Sequence, residues 1–358
     1  MTRRELTDRL LSDIRSLDLP PVSLMEVCGT HTMAIARYGI KRLLPPQVKL
    51  LSGPGCPVCV TPAEAIDAIL ELAMEPGVVI ASYGDMIRVP GSTPGDSLAR
   101  RRALGADVRL VFSPMDALDM ASAEPEKQFV FLGVGFETTA AGTAAAVKAA
   151  AARNASNFSI FPLLRRVEPA LRALLADPGF SVNGFLCPGH VAVILGEEGF
   201  RFLPEEYRVP AVIAGFEPEE ILLAVSRLLN QIAEGTARLE NCYPRAVRPE
   251  GNPLAQRMME EVLVPSDELW RGLGMIPGGG SSFREEYARF DARRRFGITL
   301  REKPMRLPCR CGDILAGKLA PEDCPLFGTV CDPENPVGPC MVSGEGSCAA
   351  AYKYRGLD

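Results

Sequence analysis

The sequence lacks any long apolar run. No uncharged apolar stretch reaches ~18 residues, the length a bilayer crossing needs, so no membrane span and no membrane partner are expected. The opening stretch, MTRRELTDRLLSDIRSL, is charged and amphipathic. It has no apolar segment of the kind a secretion signal carries. Basic excess is missing as well: 39 Lys and Arg stand against 44 Asp and Glu, for a net charge of -5. Without that excess there is nothing to neutralise a phosphate backbone, which argues against nucleic acid as a partner. The short runs Arg100–Arg102 and Arg293–Arg295 read as solvated helix faces. Histidine is scarce, with His31 and His190 the only two.

Cysteine, by contrast, is plentiful. There are 11, and no export signal accompanies them. Reduced thiols, metal ligands or catalytic thiols in a cytoplasmic protein are expected before structural disulfides. Hydrophobic residues make up 47% and charged residues 23%, which predicts a well-packed protein. A length of 358 residues allows two or three domains.

Short apolar runs recur along the chain, each followed by a Gly/Pro loop and a helical pattern. Strands are predicted at Leu24–Cys28, Val48–Ser52, Val78–Tyr83, Val108–Phe112, Phe129–Val134, Ser159–Leu163, Gly184–Cys187 and Ala211–Ala214. Helices are predicted at Pro62–Met74, Met115–Ala121, Thr138–Arg153, Glu168–Ala176 and Glu217–Glu234. Such alternation means an α/β fold with parallel sheets. Eight strands divide into two sets of four at Ala123–Lys127. The expectation is two parallel-sheet α/β lobes, 20–123 and 124–235, facing a cleft. After about Glu240 the pattern fails. The stretches Asn241–Asn252 and Ile276–Ser282 read as turns, and Phe283–Phe296 as one charged helix. Residues 236–358 therefore read as a small separate C-terminal domain, with the placement of residues 1–19 on it left open.

Ligands of parallel α/β sheets bind at the carboxyl ends of strands, and the unusual residues fall there. Cys28-Gly29-Thr30-His31-Thr32 puts a thiol three residues before an imidazole. That pair suits an iron or zinc site, or a thiol whose pKa the imidazole lowers; a buried Cys and a capping His fit equally well. Cys56-Pro57-Val58-Cys59 is a CxxC, with the spacing of a disulfide, a redox dithiol or half a zinc site. A second CxxC is absent, which disfavours a four-cysteine zinc ribbon. The stiff Gly/Pro setting favours a pair held for thiol exchange. Gly133-x-Gly135 lacks the third glycine of a dinucleotide fingerprint, since Thr138 stands there. Gly-Phe-Glu occurs after two strands, at Glu137 and Glu217, which hints at an internal duplication. Cys187 and His190 repeat the Cys-x-x-His spacing, which suits a second ligand or acid/base pair across the cleft, or else a buried strand cysteine and a capping histidine; for Cys187 burial is the favoured reading, and Cys242 reads as structural.

Six cysteines crowd the tail: Cys309, Cys311, Cys324, Cys331, Cys340 and Cys348. The segment is rich in proline and glycine and has little with which to build a core. Taken from Cys311 through Cys324 and Cys331 to Cys348, the gaps are 12, 6 and 16 residues; from Cys309 the first gap is 14. Such wide spacing suits a [4Fe–4S] cluster better than a zinc finger, with structural zinc and disulfides as the alternatives.

Taken together, MEVCGTHT (Met25–Thr32), GPGCPVCVTP (Gly53–Pro62), GFETTA (Gly135–Ala140), CPGHV (Cys187–Val191), GFEP (Gly215–Pro218) and the tail Cys324–Tyr354 closely resemble the HypD family over nearly the whole chain. One local departure is Ser343-Gly344-Glu345, where two serines are expected before the glutamate. The resemblance implies a [NiFe]-hydrogenase maturation factor, an assembly scaffold with redox activity rather than a conventional turnover enzyme. It implies a transient Fe(CN)2CO unit built with a HypC-type chaperone, with cyanide arriving from HypE. By motif, Cys28 would ligate that iron, His31 would sit nearby, and Cys56 and Cys59 would be the redox pair. A tail [4Fe–4S] cluster would take Cys324, Cys331, Cys348 and either Cys309 or Cys311, with Cys340 spare. A stand-alone iron–sulfur thiol–disulfide oxidoreductase is the alternative function. Replacing Cys331 with Ser is expected to remove the cluster's visible absorption from anaerobically purified protein. Unchanged iron and sulfide content would exclude Cys331 as a ligand.

Overall fold

The structure is a computed structural model that describes residues 2–301 and 307–355. All eight expected strands form: β1 (Val22–Glu26), β2 (Val48–Ser52), β3 (Val78–Ser82), β4 (Asp107–Leu110), β5 (Gln128–Gly135), β6 (Phe158–Leu164), β7 (Gly184–Pro188) and β8 (Ala211–Ala214). β3, β6 and β7 are buried along their whole length. Helices cover both faces of a parallel sheet, so its strands are apolar on both sides, and that is why they stand out as continuous hydrophobic runs.

The strands do not pair in the two sequential sets expected. One sheet has the order β2-β1-β7-β8-β9, where β9 is Leu239–Asn241; the other has the order β4-β3-β5-β6. Both are parallel throughout. The chain starts the first sheet, leaves after β2, builds the whole second sheet, and returns to place β7 beside β1. Leu24 thus lies opposite Gly184. The boundary expected at 123/124 falls inside the second sheet, between β4 and β5. Periodicity marks a strand but carries no information about which strand it will meet.

The C-terminal region also differs from expectation. β9 joins the first sheet. Two further strands, β10 (Leu263–Trp270) and β11 (Gly274–Phe283), form an antiparallel hairpin that packs on β6 and on helix Val167–Ala176. Its glycines and proline give β11 the look of a loop in sequence. The glycines are there for room: a Cβ on Gly280 would lie 2.2 Å from Glu268 Cγ across the hairpin. The single helix expected at 283–296 is a 3-10 turn, Glu285–Phe290, and a short helix, Ala292–Arg295. Asp291 divides them, because its carboxylate accepts from the Arg293 and Arg294 N–H groups and so starts a new helix. Residues 239–296 therefore complete the two lobes rather than forming a domain of their own.

Among the described residues the apolar side chains form three cores. One outer core joins the first sheet to helix Pro218–Ala233 and to α1 (Arg3–Ser16), which buries Leu10, Leu11 and Ile14 there. α1 thus belongs to the first lobe and not to the cysteine tail. The other outer core backs the second sheet. The central core is shared: Met25, Cys59, Ile80, Phe161, Phe185, Trp270, Cys311 and Ile314 all belong to it. Fully burying an apolar side chain of this size contributes about 1.5–3 kcal/mol, so the lobes and the tail stabilise one another. The tail also touches both lobes at its surface. Helix Ser347–Tyr354 packs on α2 (Gly29–Arg37). Ser343 Oγ donates to Asp85 Oδ2 at 2.8 Å.

The tip of the β10–β11 hairpin is pressed against the cysteine loop. Gly272 there has φ +78°, and a Cβ on it would lie 2.0 Å from Gly312 Cα. Gly235 also has a positive φ, +64°, but faces open space. Gly235→Ala should therefore cost about 1–2 kcal/mol, the left-handed penalty alone. Gly272→Ala should cost about 2–5 kcal/mol, because overpacking adds to that penalty. Denaturant unfolding of the two variants measures the difference, and equal losses would contradict the contact.

Candidate functional site

The carboxyl ends of β1, β2, β5 and β7 converge on a pocket of ≈ 220 Å³. The first lobe lines it with Val27, Cys28, Thr30, Gly55, Pro57, Pro188, His190 and Val191. Phe136, Thr138, Thr139 and Val167 come from the second lobe, and Glu345 from the tail. No Lys or Arg is among these lining residues.

Cys28 ends the turn out of β1 and precedes α2 as its N-cap residue. Its N–H donates to Glu26 Oε2 at 3.0 Å, and Thr32 Oγ1 donates to Glu26 Oε1. The buried Glu26 thus holds both ends of the CGTHT turn. Burial pushes the Cys28 thiol up to about 12, against N–H groups of His31 and Thr30 that stabilise its anion. A lowered thiol pKa, one reading of this motif, is not what the structure has. Without a cation, Cys28 is a neutral thiol at pH 7; a bound metal ion would draw off its proton.

His31 takes no part in lining the pocket. Its ring is fully buried, with Nε2 2.8 Å from the carbonyl oxygen of Gly215. A carbonyl only accepts, so Nε2 carries the proton and Nδ1 is left bare, buried and unpartnered. Burial lowers its pKa to about 4, so the ring is neutral. Phe216 lies between the two imidazoles: its centroid is 5.0 Å from His31 and 4.1 Å from His190. His190, an exposed residue, is the histidine that reaches the pocket. Cys187 is fully buried in β7 and Cys242 packs beside the outer core, matching their structural readings. The Gly-Phe-Glu echo hides two roles. Glu137 is buried and accepts the Val167 N–H at 2.9 Å, whereas Glu217 caps the helix that follows it.

Cys56 and Cys59 are joined by a disulfide. Pro57, between them, lines the pocket. On its far side the loop meets the tail: Cys311 Sγ lies 4.0 Å from Cys59 O. The tail cysteines are gathered there. Cys309 and Cys340 lie close enough to Cys311 for their thiols to interact with it. Cys324, Cys331 and Cys348 are close enough to act on one another's thiols and on Cys309. Among the described residues no three His, Cys, Asp or Glu groups surround one point as a single metal ion requires. A cubane cluster binds at its corners and spaces its thiolates more widely. Its donors would be soft and close, with Cys311, Cys331 and Cys348 buried and Cys309 and Cys324 partly so, and the Nη1 and Nη2 groups of buried Arg271 are unpaired beside them. An anionic iron–sulfur group fits this donor set.

Sequence comparison now bears on the same motifs. The family model described as "HypD: Hydrogenase formation hypA family" matches residues 5–355. The chain belongs to the HypD family. It is 45% identical over 337 residues to the hydrogenase maturation factor HypD of Rhizobium leguminosarum bv. viciae, covering 92% of this chain and 87% of that one. The corresponding factor of Cupriavidus necator is 44% identical over 360 residues, covering 98% and 94%. That of Escherichia coli K12 is 44% identical over 336 residues, covering 94% and 90%. As a HypD-family hydrogenase maturation factor, the chain carries its family motifs on one pocket and one thiol cluster. No helix among the described residues is long and apolar enough to cross a membrane.

Three residues of this HypD site were not read from the sequence: Glu26, Arg271 and the pocket role of Glu345. The Thr30 hydroxyl donates to Glu345 Oε1 at 2.7 Å, across 315 residues. Only the fold brings such partners together. Burial pushes the Glu26 carboxyl up from 4.5 to about 8, in spite of its hydrogen bonds. Its folded pKa is raised, so its contribution is complete below about pH 4.5 and is lost as pH rises to about 8. Glu137, pushed up to about 7, acts in the same sense. Glu26→Gln should therefore make the loss of stability between about pH 5 and 8 shallower by a few kcal/mol, read by urea unfolding at several pH values. An unchanged slope would show that Glu26 is already ionised when folded.

Proposed function

We propose that this HypD-family protein, together with a HypC-type small chaperone, is the scaffold on which the Fe(CN)2CO unit of [NiFe]-hydrogenase is assembled. The observation that carries the reading is a buried free thiol, Cys28, on the wall of a pocket closed by both lobes and the tail. Low-spin iron with cyanide and CO ligands needs soft support and exclusion of water. Cys28 supplies the soft ligand, as a thiolate formed when iron displaces its proton. The walls at Val27, Phe136, Val167 and Val191 supply the exclusion. A cysteine of the chaperone completes the thiolate support, and HypE delivers cyanide. The N–H groups of α2 face the thiolate side of this turn and favour negative charge there.

The Cys56–Cys59 disulfide adjoins this pocket and also the tail cysteines. Taking up two electrons and two protons would open it to two thiols. Cys324, Cys331 and Cys348, with Cys309 or Cys311, would hold a [4Fe–4S] cluster. When bound, that cluster would supply electrons at low potential. Cys311 is the one of the contested pair that also reaches Cys340 and Cys59 O. The position of the disulfide also favours a second reading, a thiol–disulfide oxidoreductase acting alone, in the cytoplasm in either case. Disulfide turnover without the chaperone would support that second reading.

In the complex purified with its small chaperone, Cys28→Ala should abolish the infrared bands of cyanide and CO while the iron–sulfur absorption of the tail persists. Bands of wild-type intensity in the variant would overturn the role of Cys28.

A further inference from the structure

Arg271 occupies the tip of the β10–β11 hairpin, between the disulfide loop and the tail. Its N–H donates to Val60 O at 2.8 Å, and its Nε to Thr61 O at 3.0 Å. Both carbonyls directly follow Cys59. The next residue, Gly272, lies against Gly312, which directly follows Cys311. One side chain is thus fastened to the disulfide loop and carried into the wall of the thiol cluster. Arg271 is only 8% exposed. Even so, neither Nη1 nor Nη2 has a hydrogen-bond partner, and among the described residues no carboxylate pairs with it.

A buried guanidinium with two idle nitrogens is costly, and such groups persist where an anion meets them. The other buried arginine among the described residues, Arg165, meets Glu268 at 3.4 Å. Cys309, Cys311 and Cys340 lie within reach of the Arg271 charge. Four thiolates around an iron–sulfur core make a net anion, and a reducing electron makes it more negative. The charge and hydrogen bonds around the sulfurs are what set the potential of such a centre.

We propose that Arg271 is the charge-compensating positioning residue of the tail cluster, with its two free Nη groups directed at the cluster's sulfur atoms. The inference rests on the cluster reading above. By neutralising part of the anion, Arg271 favours the one-electron-reduced state. By its bonds to Val60 and Thr61 it holds that state beside the Cys56–Cys59 disulfide.

The test uses the full chain, reconstituted anaerobically with iron and sulfide, as wild type, Arg271→Gln and Arg271→Lys. Iron and sulfide analysis reports loading, and a dithionite titration followed spectroscopically reports the midpoint potential. Arg271→Gln should load and disfavour the reduced state by about tenfold, a midpoint lowered by about 59 mV for one electron. Arg271→Lys, which keeps the charge, should stay within about threefold of wild type. A Gln variant that fails to load beside a Lys variant that loads with a near wild-type midpoint would also support the proposal. A wild-type midpoint in Arg271→Gln would overturn it, as would equal shifts in both variants or failure of both to load. Wild-type protein that takes up no iron and sulfide would instead overturn the cluster reading, and this inference with it.

Discussion

The loops after β1 and β2 are joined backbone to backbone, and the site is built outward from that junction. Gly53 N–H donates to Glu26 O at 2.7 Å, and Gly29 N–H to Gly55 O at 3.2 Å. At Gly55 a Cβ would lie 2.2 Å from the Cys28 nitrogen. No other residue fits so close an approach. It sets Cys28 beside the disulfide loop, and that loop in turn meets Cys311 and Arg271 through the carbonyls of Cys59, Val60 and Thr61. Pocket thiol, disulfide and tail cysteines therefore follow one another through contacts of main chain and sulfur.

Burial sets the electrical state of the pocket end. Cys28, Glu26 and His31 are each shifted toward the neutral form, and in each case burial outweighs the hydrogen bonds that oppose it. Of these three only Cys28 lines the pocket, and the carboxyl of Glu345 lines it as well. The tail end is different, because Arg271 holds an unpaired positive charge against the thiols. The two ends of the thiol series thus present opposite environments to an iron-containing group.

Much of the fold was legible because parallel strands buried on both faces announce themselves as apolar runs. β1 through β8 lie within two residues of their expected places. β10 and β11 did not announce themselves. Their glycines make room for side chains across the hairpin, and Pro265 and Pro277 are tolerated in a two-stranded ribbon. The site was legible as far as its cysteines, which stand out by type and by their places at strand ends. Glu26, Glu345 and Arg271 are ordinary charged residues in sequence. What distinguishes them is burial and the absence or presence of a partner, neither of which has a local signature.

The sequence by itself determined the α/β class, the HypD family motifs and the cysteines around which chemistry would be arranged. Residue type and short-range periodicity carry that information. Tertiary structure alone decided that β7 returns to lie beside β1, and that His190 rather than His31 faces the pocket. It alone decided that the tail is packed into a shared core, with Arg271 set between the disulfide and the thiols. Those are outcomes of long-range pairing and burial, and the residues that make them are as many as 315 positions apart.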